Sequence, residues 1–301
     1  MGFASARRAR TSTLDIAYEQ AGRPGGTPVI LLHGFPYDVR AFDEVAPSLV
    51  AQDAYVLAPF LRGFGATSFR EESTLRSGQQ AALGHDLVEF MDALDIGSAV
   101  LAGYDWGGRA ACVTAALHPE RVSGLVTVDG YNVQDIAAAD EPTRPEWEQT
   151  FWYQFYFLSE RGRRGLERNR EELCSLLWRT WSPTWRQSGE AFPASAPSLH
   201  NPDFVDVVIH SYRHRYGLVE GDPRYQPTED LLAEQPPITV PTVMLETGAD
   251  GLLGPSSSGD RAHFTGPYEH RLLEGIGHNP PQEAPEEFAD AVAALLRREI
   301  R

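Results

Sequence analysis

In the first half of the chain, short unbroken apolar runs alternate with stretches of helical period. Leu14–Gln20 alternates apolar and polar residues, which predicts an early edge strand. Pro28–Leu32 (PVILL), Ala54–Ala58 (AYVLA), Ala99–Gly103 and Val122–Val128 (VSGLVTV) are short and nearly all apolar, so they predict strands buried on both faces. Between them, Gln79–Asp95 repeats Leu83, Leu87, Phe90, Met91 and Leu94 at helical spacing, and Gly107–His118 also reads as a helix. Strand, helix and strand in turn predict an α/β fold, a mostly parallel doubly wound sheet covered by helices.

The pattern changes near residue 132. Residues 132–235 are rich in Trp, Tyr, Phe, Arg and Glu and show no strand period; Trp147–Leu158 and Arg164–Trp181 predict helices there. The charge run Arg161–Arg170 predicts a solvated helix face. Strand signals resume at Pro241–Leu245 (PTVML) and Tyr268–Leu273, and a last helix carries Phe288, Val292, Leu295 and Leu296 on one face. The expected organisation is a core of residues 1–131 and 236–301, interrupted by a helical cap at 132–235.

Composition narrows the chemistry. With 301 residues the chain can bury one large core. Its net charge of −16 repels nucleic acid and anionic membrane, so neither is an expected partner. All 26 cationic side chains are arginine, which excludes a lysine Schiff base and a P-loop lysine. Cys112 and Cys174 stand in no metal-type pair and read as small apolar groups. The start MGFASARRAR lacks the apolar run of a leader, Ala6 breaks the acylation pattern, and no stretch reaches the length of a membrane span. A cytoplasmic location is expected.

Three motifs carry chemistry. The strand Ala99–Gly103 runs into Gly103-Tyr104-Asp105-Trp106-Gly107-Gly108 and then a helix. A nucleophile elbow needs this arrangement, because a side chain raised on a strained strand-to-helix turn requires small residues two positions away on either side. Leu31-Leu32-His33-Gly34-Phe35-Pro36 ends an earlier strand. A backbone N–H from its loop, that of Phe35, can pair with the N–H of Trp106 as an oxyanion hole, while His33 reads as structural. Gly275-Ile276-Gly277-His278-Asn279 lies in a glycine-rich loop before the last helix, where a base would follow a nucleophile and an acid in chain order. Asp250, in Gly248-Ala249-Asp250 after a strand, can orient His278; Asp129, after Val122–Val128, is the rival acid.

HGFP, GYDWGG, GAD and GIGHN in this order resemble the α/β-hydrolase fold, and Asp followed by Trp in the elbow resembles its epoxide hydrolase and haloalkane dehalogenase branch. The resemblance covers nearly the whole chain and implies a cofactor-free, metal-free hydrolase with an Asp105, His278 and Asp250 triad. Aspartate attacking saturated carbon gives an alkyl ester that a His-activated water can cleave. By the same resemblance Tyr153 (Tyr156 in reserve) and Tyr212 donate to an opening epoxide oxygen. The expected partners are a small apolar or aromatic epoxide and water; nothing fixes an oligomeric state. The alternatives are a haloalkane or haloacid dehalogenase, with Trp106 and Trp152 holding the halide, and a non-catalytic binding protein on this fold. By the same resemblance, Phe35 stands where the dehalogenase pattern has Asn after His-Gly, and Trp106 stands where fluoroacetate-type dehalogenases have Arg; both departures favour the epoxide reading.

Overall fold

The computed structural model describes residues 3, 6–252 and 257–298. Residues 1, 2, 4 and 5, part of the start read above as lacking a leader, lie outside these residues. One nine-stranded sheet organises the molecule. Its strands are β1 (Arg7–Arg10), β2 (Leu14–Ala21), β3 (Thr27–Leu32), β4 (Ala54–Pro59), β5 (Ser68–Phe69), β6 (Ala99–Gly103), β7 (Val122–Val128), β8 (Thr242–Thr247) and β9 (Tyr268–Leu273). They lie in the order β1-β2-β4-β3-β6-β7-β8-β9, with β5 paired to β2. Pairing is antiparallel through β1, β2, β4 and β5, and parallel from β4 to β9.

The uniformly apolar runs are the central strands. Every residue of β6 is buried, as are the last four of β3. The helices Gln80–Ala93 and Asp105–Leu117 pack on each other, as do Val45–Val50 and Pro285–Leu296, and these pairs cover the sheet. A parallel sheet buried on both faces in this way leaves only the carboxyl ends of its strands open for a site.

Two expectations are corrected. Leu14–Gln20 is not an edge strand, because β1 lies outside it. The segment RRAR buries only Ala9, so no apolar period announced a strand that rests on backbone pairing with β2. The two long helical runs are also broken: Trp147–Leu158 divides at Phe151 into Pro145–Thr150 and Trp152–Leu158, and Arg164–Trp181 divides at Asn169 between Glu160–Arg168 and Arg170–Trp181. Asn169 has non-helical dihedrals, φ −118° and ψ 37°. A short polar side chain tolerates that break where Leu or Ala would favour continuing the helix.

After a loop that follows β7, the regular elements from Pro145 to Ala233 are all helical, and polar contacts tie this segment to the core. Trp178 Nε1 donates to Pro36 O (3.0 Å), and the hydroxyls of Ser195 and Ser198 donate to the buried Asp38 carboxylate at 2.6 and 2.5 Å. Asn201 Nδ2 donates to the carbonyls of Gly65 and Thr67. The helical segment is thereby fixed over the ends of β3 and β4. No helix among the described residues is long and apolar enough to cross a membrane.

The approach of β3 to the Asp105–Leu117 helix depends on Gly107, where an added Cβ would lie 2.0 Å from Leu32 O. Gly107→Ala should therefore cost on the order of 3 kcal/mol. Gly97→Ala, whose Cβ meets nothing within 4 Å, should change stability little. Urea titration of both variants checks the contrast.

Candidate active site

Asp105 is the first residue of its helix and follows β6 after the extended Tyr104. Its φ of +50° lies in the left-handed region, which costs a non-glycine residue roughly 1–2 kcal/mol. The chain tolerates this because Gly103 and Gly107 let β6 and the helix cross closely; a Cβ on Gly103 would lie 2.6 Å from the Gly107 backbone. The turn also places two backbone donors on one carboxylate oxygen. Phe35 N donates to Asp105 Oδ1 at 2.7 Å, across 70 residues of sequence, and Trp106 N donates to the same oxygen at 2.6 Å.

The other oxygen, Oδ2, faces His278, with Nε2 3.7 Å away. That nitrogen is buried and has no hydrogen-bond partner, while Nδ1 lies 2.6 Å from Asp250 Oδ2. Asp250 follows β8, and its Oδ1 accepts from Leu252 N at 2.7 Å. The rival acid Asp129 is engaged elsewhere, its two oxygens accepting from Thr247 N (2.8 Å) and Thr247 Oγ1 (2.6 Å). Among the described residues, Asp129, Asp250 and His278 form the one cluster of three potential metal ligands. Within it, His278 Nδ1 is already paired with Asp250.

The electrostatics follow from this geometry. Burial alone would protonate Asp105, but His278, Arg109 and the Phe35 N–H outweigh it and hold its pKa below the ordinary carboxylate value. Burial would likewise strip the proton from His278, yet Asp250 and Asp105 together raise its pKa well above the usual value. Imidazolium flanked by two carboxylates is thus the resting arrangement at neutral pH. His33 has the opposite character. It is fully buried, its Nδ1 pairs with Gly34 O and its Nε2 accepts from Leu61 N, and burial pulls its pKa down to about 4. This neutral ring ties the Phe35 loop to the chain after β4.

Helical residues close the site from above. Tyr153 and Tyr212, on Trp152–Leu158 and Phe204–Arg215, are both buried, with ring centres 5.5 Å apart and edge to face. Burial is the main cause that raises both phenol pKa values, and the charge of Asp105 adds to it, so both hydroxyls keep their protons. Tyr156 is placed elsewhere, its hydroxyl against the backbone of Gly165 on the next helix. Trp152 is 38% exposed and cannot serve as a buried donor beside Asp105. Exposure at that position had no signature in a stretch of consecutive aromatics.

Three contributors escaped the sequence reading. Trp181 packs on His278, with ring centres 5.0 Å apart, and on Tyr153 at 4.9 Å; its Nε1, like that of Trp106, is buried without a partner. Arg109 acts on Asp105 from one helical turn further on. Glu283 clamps the His278 loop: its carboxylate accepts from Gly277 N (2.8 Å), Asn279 N (3.0 Å) and Ser182 Oγ (2.6 Å), while Ser182 Oγ accepts from His278 N (3.1 Å). Only the last had a signal, a carboxylate a few residues after the histidine.

A strained elbow at the end of a central parallel strand, facing a histidine and an acid on the next loops, defines a hydrolase of the α/β type. The chain belongs to the α/β hydrolase fold family, whose sequence pattern matches residues 27–285. It is similar to a presumed epoxide hydrolase from Klebsiella pneumoniae of known crystal structure, with 44% identity, 97% of both chains covered and a TM-score of 0.95. It is 28% identical to epoxide hydrolase A of Mycobacterium tuberculosis over 98% of each chain. A further relative, an epoxide hydrolase of Caballeronia sordidicola, is 25% identical over 95% of this chain and 92% of its own.

The Glu283 clamp gives a direct test. Glu283→Gln exchanges an acceptor for a donor beside buried N–H groups, which should cost about 1–3 kcal/mol of stability. Chemical denaturation measures it; a loss of a few tenths would mean that the loop holds itself.

Proposed function

We propose that this chain hydrolyses epoxides to vicinal diols through an ester on Asp105, with residues 132–235 acting as a cap that closes over the reacting carboxylate. The observation that carries the reading is the inequivalence of the two Asp105 oxygens. Oδ1 is saturated by two backbone N–H groups, and only Oδ2 is free to attack.

In the first step Asp105 Oδ2 bonds to an epoxide carbon, the carbon–oxygen bond of the ring breaks, and the departing oxygen takes a proton from Tyr153 or Tyr212. The ester removes the Asp105 charge, one of the two that hold the proton on His278. The imidazolium proton then restores the tyrosine, by way of solvent, and leaves Nε2 neutral. In the second step His278 Nε2 takes a proton from water, and hydroxide adds to the Asp105 carbonyl carbon. The negative charge that develops on Oδ1 meets the N–H groups of Phe35 and Trp106 already in place, each such donor being worth roughly 3 kcal/mol. Collapse expels the product alkoxide, which takes the proton of the newly formed carboxyl group; the diol leaves, Asp105 is a carboxylate again, and His278 keeps the proton it took from water. Asp250 holds the imidazole in orientation throughout.

One observation favours a second reading. The partnerless indole N–H groups of Trp106 and Trp181 are the kind of donor that holds a departing halide, which supports a carbon–halogen hydrolase with the same Asp105 ester. Halide release measured against diol formation separates the two.

Mass analysis of the peptide containing Asp105 after a single turnover tests the ester itself. Substrate mass should accumulate on it in His278→Gln and be absent in Asp105→Ala; no adduct with any epoxide in His278→Gln would sink the reading. The half-reactions should differ in pH dependence. Asp105 is depressed and stays ionised, and the tyrosines are raised and stay protonated, so alkylation should be flat from about pH 6 to about pH 9. Ester hydrolysis should rise with pH as His278, relieved of one carboxylate charge, loses its proton. Stopped-flow tryptophan fluorescence resolves both phases.

A further inference from the structure

A cleft of about 870 Å³ opens between the helical segment and the core, lined among others by Arg109, Asn132, Phe151, Phe155, Arg215 and Tyr216. Arg109 lies on the elbow helix, four residues after Asp105, and is 8% exposed. Its Nε and Nη1 are enclosed and make no hydrogen bond, and the Nε of Arg215 is in the same condition. Arg215 comes from the end of the Tyr212 helix. It donates from Nη1 to Gln154 Oε1 at 3.2 Å, and its guanidinium carbon lies 4.6 Å from the centre of the Tyr212 ring.

Arg215 is only partly buried, but its positive charge acts on the enclosed guanidinium of Arg109. The pKa of Arg109 is pulled down to about 10, by burial first and by the charge of Arg215 next, and the group remains charged at neutral pH. Buried charges are ordinarily paired, yet neither arginine has a carboxylate partner among the described residues. The acids that line the same cleft, Asp135, Asp140, Glu141 and Glu148, form no ion pair with either, and Glu148 is occupied by Thr143. The unused donors are therefore matched to an anion that arrives with a ligand.

The position of the pair says which ligand. Arg215 lies over the Tyr212 ring, the Gln154 side chain that accepts from it donates to Tyr153 Oη at 3.1 Å, and Arg109 follows Asp105 by one turn of the same helix, so an anion held here lies beside the reacting groups. A planar guanidinium fork matches a carboxylate through two parallel hydrogen bonds. A dianion such as phosphate meets the acidic rim and a molecule of net charge −16, which favours a single charge. We propose that Arg109 and Arg215 bind a carboxylate carried by the substrate, so that the preferred epoxides are epoxy acids with an apolar chain against Phe151 and Phe155. This inference rests on the epoxide reading of the site and adds to it the substrate class.

The test is binding of an unreactive acid, which needs no turnover. Calorimetric titration compares hexanoate with hexanamide, and with inorganic phosphate, on the wild-type protein, Arg109→Gln and Arg215→Gln. Hexanoate should bind at least tenfold more tightly than hexanamide, and either substitution should remove the difference. Equal binding of acid and amide, a preference that survives both substitutions, or tighter binding of phosphate each overturns the proposal. Arg215, only partly buried, carries the test if Arg109→Gln does not fold. Failure to form an ester on Asp105 would instead sink the epoxide reading and leave the carboxylate result standing.

Discussion

The site depends on one constraint: both N–H groups of the elbow and the facing loop point at the same oxygen of Asp105. A carboxylate at a helix start is commonly a cap that satisfies orphan donors further along its own helix. Here the donors are the next residue and a residue on another strand end, so the carboxylate is clamped in one orientation rather than capping a turn. The left-handed backbone of Asp105 costs stability, and the two charge-assisted hydrogen bonds and the helix N-terminus offset it. The result is an anion with one spent and one free oxygen. The sheet, the glycines of the turn and the buried His33 that anchors the Phe35 loop all serve to keep that difference.

Around the free oxygen the charges are arranged so that a change on one atom alters the next. Asp105 and Asp250 hold a proton on His278 against burial, and Arg109 helps to hold Asp105 ionised. In the proposed reaction, esterification of Asp105 would remove one of the two carboxylates that favour the charged imidazole. The same buried, low-dielectric surroundings that make these interactions strong also make them conditional on each other. On the proposed mechanism, that loss of charge alone would turn His278 from a cation beside the attacking carboxylate into a base beside the ester.

Much of this was legible in the residues. The apolar runs gave the central strands, because burial on both faces leaves no alternation to misread. Glycines flanking Asp105, and a histidine in a glycine-rich loop, marked the turn and its partner, because each needs a backbone that few residues adopt. The strand Arg7–Arg10 was invisible, since it is held by hydrogen bonds to β2 and buries one alanine. The choice between Tyr153, Tyr156 and Trp152 was equally hidden: in a run of consecutive aromatics only tertiary packing decides which ring faces inward. Arg109 and Trp181 carry no local pattern either. Their importance comes from what surrounds them once the helical segment folds back on the core.

The identity of the departing atom can be argued from the tyrosines. A phenol buried beside a carboxylate is a poor acid, and burial with the charge of Asp105 pushes both hydroxyls in that direction. Arg215 opposes this for Tyr153 and Tyr212 alike, and Arg109 opposes it for Tyr212. Each arginine therefore stabilises the tyrosinate that is formed when a proton is given away. A halide leaves as a weak base and takes no proton, so it would gain nothing from cations placed behind the phenols. An alkoxide released from a strained ring is a strong base and needs that proton as the ring bond breaks. Partnerless indoles can hydrogen-bond to either leaving group, but only oxygen makes use of a proton donor whose conjugate base is supported by two arginines.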